Sequence, residues 1–330
     1  MRYRNLGKSG LKVSELGLGA NNFGGVVGEK ESIAVIRHAL DMGVNLIDTA
    51  DIYSMGGVPG GSEEIIGRVI KERRSEVVLA TKFGGPMAKG PNDRGGSRAH
   101  IVSAAEASLR RLNTDYIDLY YIHMPDPDTP VQETLRAMDD LVRSGKVRYI
   151  GCCNFKAWQL CEAIWTSRTC NLESFVAAQS NYNLLERSIE VELAHCCQAY
   201  GTGFIAYRPL AEGFLTGKYQ RGREPEAGRL ATSVFKDMAA MVLTEENFDR
   251  LEKLQAFSAG RGHSVGELAV AWLLSRPWLS SVIAAASRPE QVTANIAATG
   301  WILTAEEAAE VDRLCPYVPA IEFSMHPKEE

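Results

Sequence analysis

The sequence predicts a closed (β/α)8 barrel, the TIM-barrel architecture, with an N-terminal β-hairpin as its cap. Short apolar segments rich in Val, Ile, Leu and Tyr alternate with amphipathic segments of helical periodicity. The alternation continues from end to end without a linker rich in Pro, Ser or charge. Such alternation is typical of a parallel sheet covered by helices, and eight units in roughly 300 residues are typical of a barrel. We therefore expect one domain over residues 1–330.

The predicted elements begin with the hairpin. The sequences RYRNLG and LKVSELGLG flank the turn segment Lys8-Ser9-Gly10 and should cap the lower end of the barrel. The barrel strands are expected at residues 15–20, 44–48, 77–82, 117–122, 148–152, 175–179, 203–207 and 281–285. Helices are expected at about 30–41, 62–72, 99–111, 131–144, 156–167, 188–200, 247–260 and 264–276.

An open doubly wound sheet is the alternative α/β architecture, and it would bind a dinucleotide through Gly-x-Gly-x-x-Gly after its first strand. The Gly-Leu-Gly segment at residues 17–19 is followed by Ala20 and Asn21, and no third glycine stands at the required position. The glycine segment at residues 213–218 is one residue too short for a phosphate-binding P-loop. Any nucleotide must therefore be bound by other means.

Composition and charge exclude several function classes. The chain has 36 Lys plus Arg against 41 Asp plus Glu, a formal net charge of -5, and no basic block that could neutralise a run of phosphates. We therefore expect no nucleic-acid partner. No stretch approaches ~18 consecutive apolar residues, and the polar start lacks the hydrophobic core of a signal peptide. We therefore expect no membrane segment and a cytoplasmic location.

The seven cysteines include no Cys-x-x-Cys pair suited to zinc or redox chemistry. Their odd number fits free thiols in a reducing compartment. His195 beside Cys196 and Cys197 has a metal-like composition, but adjacent positions on one helix point in different directions. We expect no metal site.

Polar residues at the ends of predicted strands mark the candidate site, because the carboxyl ends of barrel strands form the active-site rim. The second strand ends at Asp48 and continues to Tyr53, the third ends at Lys82, and the fourth is followed by His123. Each residue alone has a structural explanation. Together they point to chemistry, because a lysine at an apolar strand end needs a partner such as Asp48, and a neighbouring phenolate would be stabilised.

Ordered motifs occur along nearly the whole chain. They are GVNLIDTADIY (43–53), ATK (80–82), DYIDLYYIH (115–123), GKVRYIG (145–151), NF (154–155), QSNY (179–182), AYRPL (206–210), LTGK (215–218), SRPEQ (287–291) and Asn295. These motifs resemble those of the aldo-keto reductases, most closely the branch that includes the bacterial general reductases and the potassium-channel beta subunits. The resemblance implies NADPH-dependent reduction of aldehyde or ketone carbonyls, with a small-molecule carbonyl substrate. It leaves the oligomeric state open.

The resemblance assigns a catalytic tetrad to Asp48, Tyr53, Lys82 and His123. Carbonyl reduction needs a hydride at carbon and a proton at oxygen, and a phenol with a pKa near 10 is a poor donor unless it is tuned. Tyr53 would be the general acid. Lys82, held by Asp48, would lower the pKa of Tyr53, and His123 would orient the carbonyl or share the proton. The hydride would come from a nicotinamide cofactor.

The resemblance also implies a cofactor site. The carboxamide of the nicotinamide would meet Asn154 and Gln179, and its ring would stack on Tyr207. At the adenosine end, the fork of Arg288 suits a 2′-phosphate, which favours NADPH over NADH. The expected cofactor-binding residues are Ala20, Asn21, Cys153, Asn154, Gln179, Tyr207, Arg208, Pro209, Leu210, Lys218, Arg229, Ala285, Ser287, Arg288, Gln291 and Asn295.

The sequence departs from the family pattern in three places. Cys153 stands where serine is usual, and its thiol is a weak hydrogen-bond donor. Arg208 replaces a frequent serine, so it either meets the diphosphate or reaches into the substrate pocket. Ala284 and Ala285 replace the usual Pro-Gly.

Loops and a few apolar residues are expected to form the mouth of the site, although loop composition does not name a ligand. The loops are residues 54–62, 84–96, about 211–244 and the tail 316–330. Candidate apolar neighbours of the substrate are Phe23, Tyr121 and Trp158, of which Trp158 also suits helix packing.

Two other functions stay open. A barrel lyase could use Lys82 as a Schiff-base amine, but this leaves Asn154, Gln179 and Tyr207 without a task. A cofactor-sensing interaction module, like the channel beta subunits, would keep the reductase site while partner binding is its main role. The sequence predicts no separate docking extension before the barrel, which disfavours the second alternative.

Overall fold

The computed structural model describes residues 1–232 and 235–317. The strands are β1 (Tyr3–Asn5), β2 (Lys12–Ser14), β3 (Leu16–Gly19), β4 (Leu46–Asp48), β5 (Val78–Phe83), β6 (Ile117–Ile122), β7 (Val147–Cys153), β8 (Ala177–Asn181), β9 (Gly203–Tyr207) and β10 (Leu279–Ala285). Strands β3 to β10 form a closed, wholly parallel barrel in chain order, with β10 pairing both β9 and β3. The predicted (β/α)8 barrel is confirmed.

Helices surround the barrel. They are α1 (Glu29–Asp41), α2 (Gly61–Ile70), α3 (Arg98–Leu112), α4 (Val131–Arg143), α5 (Ala157–Cys170), α6 (Leu193–Tyr200), α7 (Lys236–Val242), α8 (Glu245–Ala259), α9 (Val265–Leu274), α10 (Pro289–Ala298) and α11 (Ala305–Leu314). Within residues 1–232 and 235–317, every helix is too short or too polar to span a lipid bilayer.

The N-terminal hairpin forms as expected. Strands β1 and β2 pair antiparallel, and the Leu6 N–H donates to the Leu11 carbonyl across the turn at 2.8 Å. Leu6 and Val13 are fully buried and pack in one cluster with strand residues such as Leu46 and Ile205. The hairpin thus fills the lower end of the barrel with apolar side chains, which stabilises that end by removing them from water.

The barrel strands begin and end within two residues of their predicted limits, and residues 117–122 and 203–207 match at both ends. The helical prediction is less accurate. The helix expected at 188–200 is divided into a 3-10 turn, Ser188–Glu190, and α6. The Glu190 carboxylate accepts hydrogen bonds from both Arg187 and Tyr182, and these contacts hold the separate turn.

Helices α7, α10 and α11 were not among the predicted helices. Helix α10 buries only Val292 and Ala298, so its apolar periodicity is weak. Helix α11 has a clear start signal that the apolar pattern alone does not reveal. Its capping box joins Thr304 and Glu307 through reciprocal side-chain to backbone hydrogen bonds.

One glycine sets the packing inside the barrel. A Cβ atom on Gly151 in β7 would lie 2.5 Å from Cε1 of Tyr121 in β6, which is closer than van der Waals contact allows. The Tyr121 ring therefore occupies the space that a larger residue on β7 would need. Because the tyrosine is fully buried, this layer of the interior is filled and forms no passage.

Candidate active site

The structure brings Asp48, Tyr53, Lys82 and His123 together at the carboxyl ends of the barrel strands. The centre of the group is Lys82, whose side chain is fully buried. Its Nζ lies 2.5 Å from Oδ1 of Asp48, 2.9 Å from the carbonyl oxygen of Thr49 and 3.3 Å from Oη of Tyr53. Each of the three ammonium protons thus has an acceptor, which offsets the desolvation of a buried charge.

The phenol of Tyr53 lies between a cation and an imidazole. Its Oη is 3.3 Å from Nζ of Lys82 and 3.5 Å from Nε2 of His123, and the tyrosine and histidine rings meet edge to face. The backbone N–H of His123 donates to the Phe83 carbonyl at 2.8 Å, which fixes the histidine beside β5. The phenol can therefore exchange a proton with a molecule at the mouth while it contacts both neighbours.

Burial controls the protonation of this group. It raises the pKa of Tyr53 to about 12, although the Lys82 ammonium acts in the opposite direction. Burial, together with the Lys82 charge, lowers the pKa of His123 to about 3, so the imidazole is neutral at pH 7. Burial is the largest single effect on Lys82 and favours its neutral form, but Asp48, together with Tyr53 and Cys153, raises the pKa of the lysine overall.

Lys82 acts to lower the pKa of Tyr53, as expected, but the net shift is upward. Desolvation of the phenolate exceeds the attraction of the single cation. The sequence showed the charge beside the phenol but not the depth at which the phenol lies. Tyr53 carries its proton at neutral pH, as a general acid must.

Three of the predicted cofactor-binding residues are linked to the tetrad. The Gln179 amide nitrogen donates to Oδ2 of Asp48 at 2.8 Å, so this carboxylate binds Lys82 through one oxygen and Gln179 through the other. Asn154 donates to the His123 carbonyl at 2.9 Å, and Tyr207 donates to Oδ1 of Asn154 at 2.7 Å. The contact between Gln179 and Asp48 was not anticipated from the sequence.

Cys153 lies immediately before Asn154, at the end of β7, and it is buried inside the barrel. Burial raises the pKa of its thiol, while the Lys82 charge works in the opposite direction. The thiol therefore stays protonated, and this environment is unlike that of a reactive cysteine, whose thiolate is stabilised.

Cations and one acid occupy the rim after β9. Arg208 Nε lies 2.6 Å from Oε1 of Glu212, and Arg229 Nη1 lies 2.9 Å from Oε2 of the same carboxylate. Arg229 Nη2 also contacts Oδ1 of Asn21 at 3.3 Å. Lys218 is exposed, with its Nζ 5.0 Å from the centre of the Tyr219 ring. Glu212 was not among the predicted site residues, and its only signal in the sequence is an acid between two predicted cations.

The remaining residues expected near the cofactor also lie on the rim. Ala20 is buried and donates its N–H to the Asp48 carbonyl at 2.9 Å. Pro209 is buried, and Leu210 is half-buried after β9. Both follow the predicted stacking residue Tyr207 within three residues.

The predicted adenosine end lies where β10 passes into α10. Ala285 and Ser287 are exposed, and Gln291 Oε1 accepts hydrogen bonds from the Ser287 N–H at 2.7 Å and from its Oγ at 3.0 Å. Arg288 is exposed at the N-cap of α10, and Asn295 is half-buried further along the helix. The positive end of the helix dipole and the arginine both favour an anion here.

Two of the three predicted apolar neighbours of the substrate, Phe23 and Tyr121, do not reach the surface of the mouth. Phe23 and Tyr121 are fully buried, because the first packs against the helices and the second fills the barrel interior. Trp158 is 61% exposed in the first turn of α5, which argues against a packing role and leaves it a candidate neighbour of the substrate. Two of the loops expected around the mouth, residues 54–62 and 84–96, follow β4 and β5. The structure describes the expected loop 211–244 except for residues 233–234. Of the expected tail 316–330, the part beyond residue 317 lies outside the described residues.

A second buried carboxyl lies close to the tetrad and was also missed. Asp51 is fully buried, and neither of its oxygens has a hydrogen-bond partner among the residues described. Burial, reinforced by Glu63, raises the pKa of Asp51 to about 7, although Arg111 and Lys82 act in the opposite direction. This carboxyl is thus half-protonated near neutral pH.

Asp51 should make the stability of the protein depend on pH. A carboxyl with a raised pKa binds its proton more tightly in the folded chain, so its contribution to stability is lost as pH rises from about 4 to about 7. Between pH 5 and pH 8, we expect the free energy of unfolding to fall by about 2–3 kcal/mol more in the unchanged chain than in Asp51→Asn. Urea unfolding at the two pH values measures this difference. An equal change in the free energy of unfolding for the two chains between pH 5 and pH 8 would contradict the assignment.

The chain is similar to known proteins over nearly its whole length. A family profile described as "Aldo/keto reductase family" matches residues 15–315. The chain is 39% identical over 309 residues to a probable voltage-gated potassium channel subunit beta of Arabidopsis thaliana, with 92% of each chain covered. It is 35% identical over 322 residues to L-glyceraldehyde 3-phosphate reductase of Escherichia coli (strain K12), covering 95% of this chain and 92% of the relative. These matches confirm the resemblance expected from the motifs.

Proposed function

The chain belongs to the aldo/keto reductase family, and from this premise we propose that it is an NADPH-dependent oxidoreductase that reduces aldehyde or ketone carbonyls to alcohols. The observation that carries the proposal is the position of Tyr53, whose Oη contacts both a buried, charged Lys82 and a neutral His123. This arrangement supplies a proton where a carbonyl oxygen gains negative charge. Together with the family, it supports reduction more strongly than any other reaction.

Each side chain has a separate task in the proposed reaction. Tyr53 donates its proton to the carbonyl oxygen, and the Lys82 ammonium stabilises the phenolate that remains. Asp48 keeps Lys82 charged and in place through its 2.5 Å contact. His123 is neutral, so it orients the carbonyl by a hydrogen bond without adding a second charge. A nicotinamide cofactor, when bound, supplies the hydride.

The rim suits a phosphorylated dinucleotide. Asn154 and Gln179 would hold the carboxamide, and the half-buried ring of Tyr207 offers a face for stacking. Arg208, Lys218 and Arg229 would face the diphosphate. Ser287, Arg288, Gln291 and Asn295 would hold the adenosine end, where the N-terminus of α10 adds its dipole.

The 2′-phosphate contact is tested by Arg288→Ala. The exposed guanidinium should bind the extra phosphate of NADPH, which NADH lacks, so the substitution should weaken NADPH more than NADH. A charge-assisted contact of ~1.5–3 kcal/mol corresponds to roughly a ten- to hundred-fold change in affinity. Fluorescence titration with both cofactors measures the effect. Equal losses would refute the contact, and a preference of the unchanged chain for NADH would refute the cofactor assignment.

The proposed activity is tested by following NADPH oxidation across aldehydes, diketones, aldoses, pyridoxal and three-carbon sugar phosphates. The last class is included because the Escherichia coli relative is named an L-glyceraldehyde 3-phosphate reductase. We expect turnover with at least one aldehyde, together with formation of the corresponding alcohol. An absence of NADPH binding would overturn the proposal.

A Schiff-base lyase is disfavoured by the charge of Lys82. A nucleophilic amine must lose its proton, whereas the Asp48 carboxylate raises the pKa of this lysine. Incubation with substrate and borohydride separates the two mechanisms, because only a lyase would become covalently labelled. We expect no label on Lys82.

A second candidate function follows from the relatives in Arabidopsis thaliana and Schizosaccharomyces pombe, which are named probable and putative voltage-gated potassium channel subunits beta. In this alternative, cofactor binding would control association with a channel. Binding of the chain to cytoplasmic channel domains, measured with and without NADPH, tests it. An affinity that changes with cofactor would favour this function.

A further inference from the structure

One segment crosses part of the barrel mouth and is fastened at both sides. This strap, residues 217–232, follows the 3-10 turn Ala211–Thr216 and carries Arg229. Arg229 contacts Glu212, which follows β9, and Asn21, which follows β3. Strands β9 and β3 flank β10 in the barrel, so these contacts close the strap across the end of β10. The segment that leads to the predicted adenosine site begins there.

The carboxylate of Glu212 is the fastening point. Its side chain is 1% exposed, yet it pairs with Arg208 at 2.6 Å and with Arg229 at 2.9 Å. Arg208, Ala211 and Glu212 all have φ between 45° and 57°, in the left-handed region that side chains other than glycine rarely adopt. Such conformations persist only where surrounding contacts determine them. The ion pairs of Glu212 are among these contacts, together with hydrogen bonds from Asn183 to the Arg208 carbonyl and from Tyr219 to the Glu212 carbonyl.

The carboxylate of Glu212 could repel an anion at the mouth, or it could hold cations that attract one. The exposure of each group distinguishes these two effects. The carboxylate is buried, whereas Arg208 and Arg229 are 33% and 24% exposed, so the cations lie between the carboxylate and solvent. Two guanidinium groups against one carboxylate leave a net positive charge at the surface. The closest contact of Arg208 with Glu212 is through Nε, and a guanidinium carries further N–H donors on its terminal nitrogens. An anion approaching from the mouth therefore meets the cations first.

We propose that Glu212 is a positioning residue that holds Arg208 and Arg229 side by side, closes the strap and presents both guanidinium groups to a diphosphate. The inference rests on the proposed function for the identity of the ligand as NADPH. Guanidinium forks match phosphate oxygens in geometry, and fixing them in advance reduces the entropy lost on binding. Glu212 acts through the arginines and does not itself touch the ligand.

The test is Glu212→Gln in the full chain, which keeps the side-chain shape and removes the charge. We expect NADPH to dissociate about tenfold faster or more in stopped-flow fluorescence, with a matching rise in Kd. Binding of adenosine 2′-monophosphate, which has no diphosphate, should change less than about twofold. In the absence of cofactor, trypsin should cleave the strap after the exposed Arg223 faster than in the unchanged chain.

The matched control is Glu15→Gln. Glu15 is also a buried carboxylate that pairs with two arginines, Arg2 and Arg4, each at 2.8 Å. It lies at the start of β3, at the opposite end of the barrel. The substitution should lower stability in the same way but leave NADPH release and strap cleavage unchanged.

Several outcomes would overturn the proposal. Unchanged NADPH release in Glu212→Gln, or tighter binding, would mean that the carboxylate does not position the cations. If this variant fails to fold, the double variant Glu212→Gln with Arg229→Gln removes an opposite pair of charges. It should release NADPH faster than Arg229→Gln alone only by the part that Glu212 exerts through Arg208, and a full further increase of about tenfold would contradict a role for Arg229. Failure of the unchanged chain to bind NADPH would refute the proposed function, whereas strap cleavage tests the fastening separately.

Discussion

Replacing Tyr53 with Phe should slow the chemical step by roughly 10²–10⁴-fold or more. The ring would keep its edge-to-face contact with His123, so the loss isolates the proton that Oη donates. NADPH binding, followed by fluorescence, should change little because the hydroxyl is not part of the predicted cofactor site. Single-turnover kinetics with excess enzyme measure the chemical step directly.

Tyr120→Phe provides the control for this experiment. It removes a fully buried hydroxyl from β6 that has no hydrogen-bond partner among the residues described. Turnover should stay within about twofold of the unchanged chain, because large effects come from lost specific interactions. Near-normal turnover in Tyr53→Phe would show that another group supplies the proton.

Replacing Lys82 with Met should give a loss of similar size, on the order of 10²–10⁴-fold, because the Tyr53 phenolate loses the cation beside it. The substitution also leaves Asp48 buried with Gln179 as its remaining side-chain partner. Removing one partner from a buried ion pair typically lowers stability by about 3–5 kcal/mol. Turnover and urea unfolding should be measured on the same preparation.

The two effects of Lys82→Met are separated by adding Asp48→Asn. The double variant has no unpaired buried charge, so it should regain much of the lost stability. Its turnover should stay low because the cation is still missing. Recovery of turnover in the double variant would mean that Lys82 supports the fold and does not assist Tyr53.

The fold and the tetrad could be predicted because both depend on local sequence patterns. Strand ends follow from apolar runs, and parallel strands bring their carboxyl ends to one edge, so Asp48, Lys82 and His123 had to converge. The partner of Lys82 could also be inferred, because a buried ammonium needs an acceptor. These inferences need only the order of elements and the charge of each side chain.

The features that were missed depend on how deeply a charge is buried. Asp51 and Glu212 resemble ordinary loop acids in the sequence, whereas the structure buries both. The same limit explains the pKa of Tyr53, where desolvation exceeds the effect of the neighbouring cation. Burial arises from several segments distant in the chain, so no short pattern encodes it. Trp158 is the reverse case, because an aromatic at a helix start proves to be exposed.

The apolar hairpin below the barrel has a consequence for the timing of catalysis. Since Leu6 and Val13 fill the lower end, a molecule can approach the tetrad only from the mouth. In the proposed reaction, cofactor and substrate would share this one opening. The one that binds deeper would therefore enter first and leave last. Solvent is subject to the same restriction. In the proposed reaction, the mouth is therefore also the route by which solvent would return a proton to the Tyr53 phenolate.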